Sequence, residues 1–104
     1  MEKRAFNVLI VDDDPKLQTT MMDILEARGF TGIPASTGKE ALVRVVEQDI
    51  DVALIDLRLG DMSGLRVLRE VKEHSPDCEC ILLTGYASQE SAIEALNLGA
   101  YSYI

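Results

Sequence analysis

The chain has 104 residues, of which 18 are acidic and 10 basic, giving a formal net charge of −8; 47% of the residues are hydrophobic and 27% charged. That length holds one domain, large enough to bury a core without disulfides or metals as staples. The composition excludes a disordered, fibrous or membrane-embedded protein, and the negative balance disfavours nucleic acid or anionic lipid as a direct partner. The apolar stretch Ala5 to Val11 is broken by Asn7 and runs into three aspartates, so it reads neither as a signal peptide nor as a membrane span, and a cytoplasmic location is expected. Cys78 and Cys80 lie one residue apart, too close for an ordinary disulfide and too few for a zinc site, and are expected as reduced structural thiols.

Apolar runs of strand length alternate with segments of helical period, the pattern of a parallel sheet built from βα units. Val8 to Val11 forms the first strand and leads into Asp12-Asp13-Asp14. Asp14 is placed to cap the first helix, Pro15 to occupy its first position, Leu17, Met21, Ile24 and Leu25 to share one face, and Gly29 to stop it. A weak second strand covers Phe30 to Ala35; Thr37-Gly38-Lys39-Glu40 then has the form of a capping box, with Ala41, Leu42, Val45 and Val46 facing inward. The third strand, Val52 to Leu57, is apolar on successive residues, as expected where helices cover both faces of a sheet. A third helix starts at Ser63 or Gly64, with Leu65, Leu68 and Val71 inward and Arg66, Arg69, Lys72 and Glu73 outward. The fourth strand, Cys80 to Thr84, is followed by a helix from about Ser88 that stops at Gly99, and by a last strand from Tyr101 to Ile104.

Three of these strands end on oxygen-bearing side chains: the first on Asp12 and Asp13, the third on Asp56 and the fourth on Thr84. Right-handed crossovers deliver the carboxyl ends of parallel strands to one edge of the sheet, where ligands of open α/β folds bind. Carboxylates gathered there repel one another unless a hard cation neutralises them or their pKa values rise. Mg2+ suits an all-oxygen site of one or two carboxylates, water and an incoming phosphate. A carboxylate can also act as nucleophile and form an aspartyl-phosphate.

From Asn7 to Ile104 the chain resembles the receiver domain of two-component response regulators. The matching residues are Val8-Leu9-Ile10-Val11-Asp12-Asp13-Asp14-Pro15, Asp56-Leu57-Arg58-Leu59 with Gly64 eight residues past the aspartate, Leu83-Thr84-Gly85, and Gly99-Ala100 with Tyr103. The resemblance implies a doubly wound, five-stranded parallel sheet in the flavodoxin-like, CheY-like order 2-1-3-4-5. It implies that Asp56 accepts a phosphoryl group from a sensor histidine kinase, a phosphotransfer protein or a small phosphodonor, with Mg2+ as cofactor. Asp13 would bind the ion directly, Asp12 mainly through water, and the backbone carbonyl of Arg58 and the Asp56 carboxylate would complete the protein ligands. Thr84 would bond a phosphoryl oxygen, and its movement would let Tyr103 swing inward and change the surface of the fourth helix and fifth strand. Such a domain is a signalling switch that assists only its own phosphorylation and dephosphorylation, not an enzyme. Its output passes to an effector domain in the same chain or in another.

Two departures from that pattern are visible. Gly60 stands where the family usually has proline, and the family's lysine and fifth helix would fall beyond Ile104. Residues 1–104 are therefore expected to be a receiver domain that is incomplete at its C-terminus, with self-association through the exposed face of the last strand as a consequence. The alternative is a receiver impaired in phosphorylation that serves as a docking module. More remote readings fit less of the chain: a haloacid-dehalogenase-like phosphatase leaves Asp56 unexplained, a flavodoxin-like nucleotide binder would place three aspartates against a phosphate, and a calcium loop needs glycine where Leu17 stands. His74, the only histidine, is assigned no phosphotransfer role.

Overall fold

A computed structural model describes residues 6–83, 98–100 and 102–103. Their elements are β1 (Asn7–Val11), α1 (Pro15–Ala27), β2 (Thr31–Ala35), α2 (Gly38–Glu47), β3 (Val52–Asp56), α3 (Gly64–His74), β4 (Glu79–Leu83) and β5 (Ser102–Tyr103). All strand pairings are parallel, and the sheet runs β2-β1-β3-β4-β5, the order expected. The helix expected from Ser88 lies outside the described residues.

Each described helix begins where the sequence offers an acceptor for its unpaired first amides. Asp14 accepts from the Lys16 and Leu17 N–H groups at 3.0 and 3.3 Å, and Pro15 follows at the first helical position. The Thr37 hydroxyl accepts from the Glu40 N–H at 3.0 Å, while the Glu40 carboxylate reaches past it to the Ser36 N–H at 3.4 Å, a capping box displaced by one residue. Ser63 accepts from the Leu65 N–H at 3.1 Å. At the end of α1, Gly29 adopts φ +87°, a conformation that side-chain-bearing residues seldom tolerate. It closes a Schellman turn in which Phe30 N–H bonds to Leu25 C=O and Gly29 N–H to Glu26 C=O, both at 3.0 Å.

Alternation along the strands sorts the core into two faces. On one face Leu9, Val11, Ile33, Ala35, Ala53, Ile55, Cys80 and Leu82 pack against Ala41 and Val45 of α2 and Val67, Leu68 and Val71 of α3, all buried. On the other, Val8 and Ile10 are buried as well, and α1 reaches this face through Met22, which lies beside Gly32 of β2. Strand β3 departs from the continuous burial expected of it, because Ala53 and Ile55 are buried while Val52 and Leu54 are only half-buried. Among the described elements α1 packs mainly on β1 and β2, so it covers β3 less.

Helix faces also differ in detail from their periodicity. Leu17 and Ile24 of α1 are 45% and 51% exposed, and Val46 of α2 is 68% exposed. Each lies at the margin of its helix's apolar stripe, which is wider than the surface it covers. Lys72, expected to face outward, is half-buried and donates to the Pro76 and Cys78 carbonyls at 2.7 and 3.0 Å. It thereby satisfies carbonyl groups beyond the end of α3. Cys78 and Cys80 are free and buried, in line with structural thiols.

Candidate functional site

β1 and β3 are neighbours in register, Val11 opposite Ile55, so the residues that follow them emerge side by side. Asp12, Asp13 and Asp56 each offer a carboxylate oxygen, and these oxygens lie within 4.8 Å of one another. Among the described residues this is where acidic side chains converge in a manner suited to a metal ion. The sequence expectation of two strand ends meeting is met by all three acids. Thr84 lies outside the described residues, and Tyr103 is placed in β5, opposite Leu82, by its backbone alone.

The three acids occupy different surroundings. Asp12 is 5% exposed, the one buried charged residue described; its N–H donates to the Ala35 carbonyl at 3.1 Å, and its carboxylate accepts from the Asp14 N–H at 2.9 Å. Burial pushes the Asp12 carboxyl above the ordinary aspartate range; the Asp14 N–H opposes this, and the charges of Asp56, Asp13 and Asp14 add to it. Asp56 is half-buried and accepts from the Arg58 N–H at 3.2 Å. Its carboxyl is raised as well, first by burial and further by Asp13, with the Arg58 N–H pulling the other way. Asp13 is exposed, at the open side of the cluster. Asp14 turns away to cap α1, as expected from its sequence position.

Such a set fits a hard divalent cation. The donors are all oxygen, and the carboxyls of Asp12 and Asp56 are raised by burial and by neighbouring acids, with the charge of Arg58 only partly opposing this at Asp56. Coulomb repulsion among three carboxylates in so small a volume is offset most directly by a cation.

The loop after Asp56 is shaped by backbone pairing. Leu57 N–H bonds to Leu83 C=O at 3.0 Å and Gly64 N–H to Leu57 C=O at 2.8 Å, and Arg58 and Ser63 form an antiparallel bridge. Gly64 packs so closely on the Asp56 carbonyl that a β-carbon there would overlap it. This explains the glycine eight residues past the aspartate.

Two participants carry no signal in the sequence. Gln18 donates its amide to the carbonyls of Asp12 at 3.3 Å and Ala35 at 3.1 Å, tying α1 to the ends of β1 and β2. Asp61 accepts from the N–H groups of Gly38 at 2.9 Å and Lys39 at 3.0 Å, a pairing 23 residues apart that no periodicity announces. These bonds hold the Asp61 carboxyl below the ordinary aspartate range.

Comparison with known proteins agrees with this geometry. The chain is 37% identical over 98 residues to the transcriptional regulatory protein ZraR of Escherichia coli K12, covering 94% of this chain and 22% of that protein. The chain thus spans about a fifth of that relative's length. Among solved structures, a CheY-like response regulator receiver domain protein from Methanospirillum hungatei JF-1 superposes with a TM-score of 0.95 at 36% identity, over 97% of this chain and 81% of that one. A response regulator from Burkholderia pseudomallei, solved with a phosphorylated aspartic acid, a calcium ion and citrate, gives a TM-score of 0.91 at 34% identity, over 94% of this chain and 58% of that one. No described helix is long and apolar enough to cross a membrane. The profile of the response regulator receiver domain matches residues 8–104, from the first buried valine of β1 through the last strand, and the chain belongs to this family of two-component signalling domains.

Proposed function

We propose that Asp56 is the phosphoacceptor of a phosphorelay switch. The observation that carries the reading is the convergence of Asp12, Asp13 and Asp56 within 4.8 Å at the ends of adjacent parallel strands. A carboxylate oxygen of Asp56 attacks phosphorus, a new O–P bond forms as the N–P bond of a phosphohistidine breaks, and the imidazole, already protonated on its other ring nitrogen, leaves as the neutral base. Asp12, Asp13, the Asp56 carboxylate and the Arg58 backbone carbonyl would hold Mg2+. When bound, the ion supplies positive charge against the carboxylates and the transferring phosphoryl oxygens.

Within this reading the chain's own groups divide the work. The Arg58 N–H, bonded to one Asp56 oxygen, orients the carboxylate, and burial of Asp12 fixes one wall of the pocket. Thr84 would bond a phosphoryl oxygen, and Tyr103 would follow its movement, altering the surface of β5 and the preceding segment. Two states that differ at that surface bind different partners. The phosphodonor is a sensor histidine kinase or phosphotransfer protein in the cytoplasm, and the output is an effector domain in cis or in trans, with homodimerisation as one route between them.

Incubation with Mg2+ and acetyl phosphate tests the reading. The expected result is a mass increase of one phosphoryl group on Asp56, abolished in Asp56→Asn and by chelation of the metal. A chain that gains no mass, yet still binds a kinase or effector, would instead be a docking module.

A further inference from the structure

In the phosphoacceptor reading the loop between β3 and α3 presents the Arg58 carbonyl to the cation, and the tip of this loop contains a residue with no steric support. A β-carbon on Gly60 would meet nothing within 4 Å, and glycine contributes the greatest backbone freedom of any residue. What restrains the tip is the next residue. The Asp61 carboxylate takes the N–H groups of Gly38 and Lys39 at 2.9 and 3.0 Å, and Met62 packs onto Gly38, where a β-carbon would collide with its side chain. Gly38 is itself buried, at the start of α2. The loop, closed at its base by the Arg58–Ser63 bridge, is therefore tied at its tip, through the Asp61 carboxylate and the Met62 side chain, to an element anchored in the core.

Capping of α2 does not by itself account for this arrangement. Thr37 already caps α2 from within the same segment, its hydroxyl bonded to the Glu40 N–H. Asp61 adds acceptors for two more of the opening amides, but from across the fold. Such a bond fixes both of its ends: it completes the helix terminus and it fixes the loop.

We propose that Asp61 is a positioning residue for the cation site, holding the β3–α3 loop so that the Arg58 carbonyl faces the Asp12–Asp13–Asp56 cluster. This deepens the phosphoacceptor reading and rests on its assignment of Arg58 as a ligand. Asp61 is not one of the convergent carboxylates; its effect passes through the loop. Restraint of the loop lowers the ordering cost that ion binding would otherwise carry.

The test compares Asp61→Ala, Thr37→Ala and the double variant Gly60→Pro/Asp61→Ala with the wild type. Mg2+ affinity is measured by calorimetry at fixed ionic strength, amide hydrogen exchange of residues 57–61 in metal-free protein, and stability by urea unfolding. Both single variants remove acceptors from α2 and are expected to lower the unfolding midpoint. Only Asp61→Ala is expected to weaken Mg2+ by about 3–10-fold, the scale of 0.7–1.4 kcal/mol, and to speed exchange in the loop. Proline at position 60 restricts the backbone, and Gly60 is not among the glycines with positive φ; the double variant is expected to recover most of the affinity. Simple loss of a negative charge would not be recovered in this way. Wild-type Mg2+ affinity in Asp61→Ala, equal weakening in Thr37→Ala, or a double variant as weak as Asp61→Ala would each overturn the positioning role while leaving the phosphoacceptor reading intact. A wild-type chain that binds no Mg2+ would overturn both.

Discussion

Gly64 at the start of α3 lies against the backbone of Asp56: a methyl group on its α-carbon would overlap the Asp56 carbonyl oxygen and come within 2.8 Å of the Leu57 α-carbon. Helix propensity alone would favour alanine at this position by roughly 1 kcal/mol, so the glycine is explained by the approach of two backbones. Gly64→Ala is expected to lower stability by about 1–3 kcal/mol, the usual cost of overpacking, and to displace the end of β3 that carries Asp56. Urea unfolding gives the first effect and the rate of acetyl phosphate-dependent modification the second. A midpoint equal to or above that of the wild type would show that the contact relaxes freely.

Crowding at the acidic cluster has a signature in metal-free protein. Burial and neighbouring acids raise the carboxyls of Asp12 and Asp56 above the reference value of 3.8, so their ionised forms cost stability. The sign follows from linkage: the cost is fully present above the folded-state values and is relieved as pH falls through them toward 3.8. Asp56→Asn removes one charge of the cluster and is expected to raise metal-free stability, and with it Tm, at neutral pH. The advantage over wild type should shrink as pH is lowered toward 4, and it should also shrink when Mg2+ is added, because the ion stabilises only the wild-type cluster. A metal-free Asp56→Asn melting below the wild type at neutral pH would contradict the electrostatic account.

Asp61 has the opposite sign. Its carboxyl is held below 3.8 by the Gly38 and Lys39 amides, so its contribution is present above that value and lost as pH falls through the lower, folded-state one. The unfolding midpoint of wild type and Asp61→Ala should therefore differ at neutral pH and converge at strongly acidic pH. A difference independent of pH would place the effect of the substitution outside the carboxylate's charge.

How much of this was legible in the sequence divides along physical lines. The alternation of strands and helices and the caps at Asp14 and Thr37 follow from periodicity and local hydrogen-bonding chemistry, which act over a few residues; the convergence of Asp12, Asp13 and Asp56 follows from the handedness of the crossovers, and the strand order from the resemblance to receiver domains. What a stripe covers depends on its neighbours instead. Ile24 and Val46 fit their helical faces by spacing yet are 51% and 68% exposed, because each lies at the margin of its helix's apolar stripe. Contacts such as Asp61 with the start of α2, or Gln18 with the ends of β1 and β2, pair polar groups distant in sequence. Only the folded arrangement brings them together.

Asp14 tests whether neighbouring acids in one run can be separated by role. Its side chain accepts from Lys16 and Leu17 and contributes no oxygen to the convergent cluster of Asp12, Asp13 and Asp56, while its backbone N–H supports Asp12. Asp14→Ala is expected to cost about 1 kcal/mol through the lost cap, with Mg2+ affinity within about twofold of wild type because the backbone bond survives. Asp13→Ala should show the reverse: little loss of metal-free stability and a large loss of Mg2+ affinity. Calorimetric titration alongside thermal melting separates the two, and a large loss of Mg2+ affinity in Asp14→Ala would make it part of the ion's coordination.

Lys72 provides the last contrast, between a solvated charge and a structural one. Its ammonium donates to the Pro76 and Cys78 carbonyls, and its stem runs beside Gly99, where a β-carbon would lie 3.3 Å from Cε. One side chain thus links the end of α3, the entry to β4 and the turn that precedes β5. Hydrogen bonds from a charged donor contribute about 1.5–3 kcal/mol each when buried, and partial exposure here lowers that figure. Lys72→Met, which keeps most of the apolar stem, is expected to cost about 1–2 kcal/mol through the unpaired carbonyls, and Lys72→Ala more, since the packing of the stem is lost too. Arg69 on the same helix is exposed, and Arg69→Ala should stay within about 0.5 kcal/mol of wild type. If Lys72→Met and Arg69→Ala unfold at the same urea concentration, the carbonyl bonds of Lys72 are satisfied equally well by water and the lysine is one more surface charge.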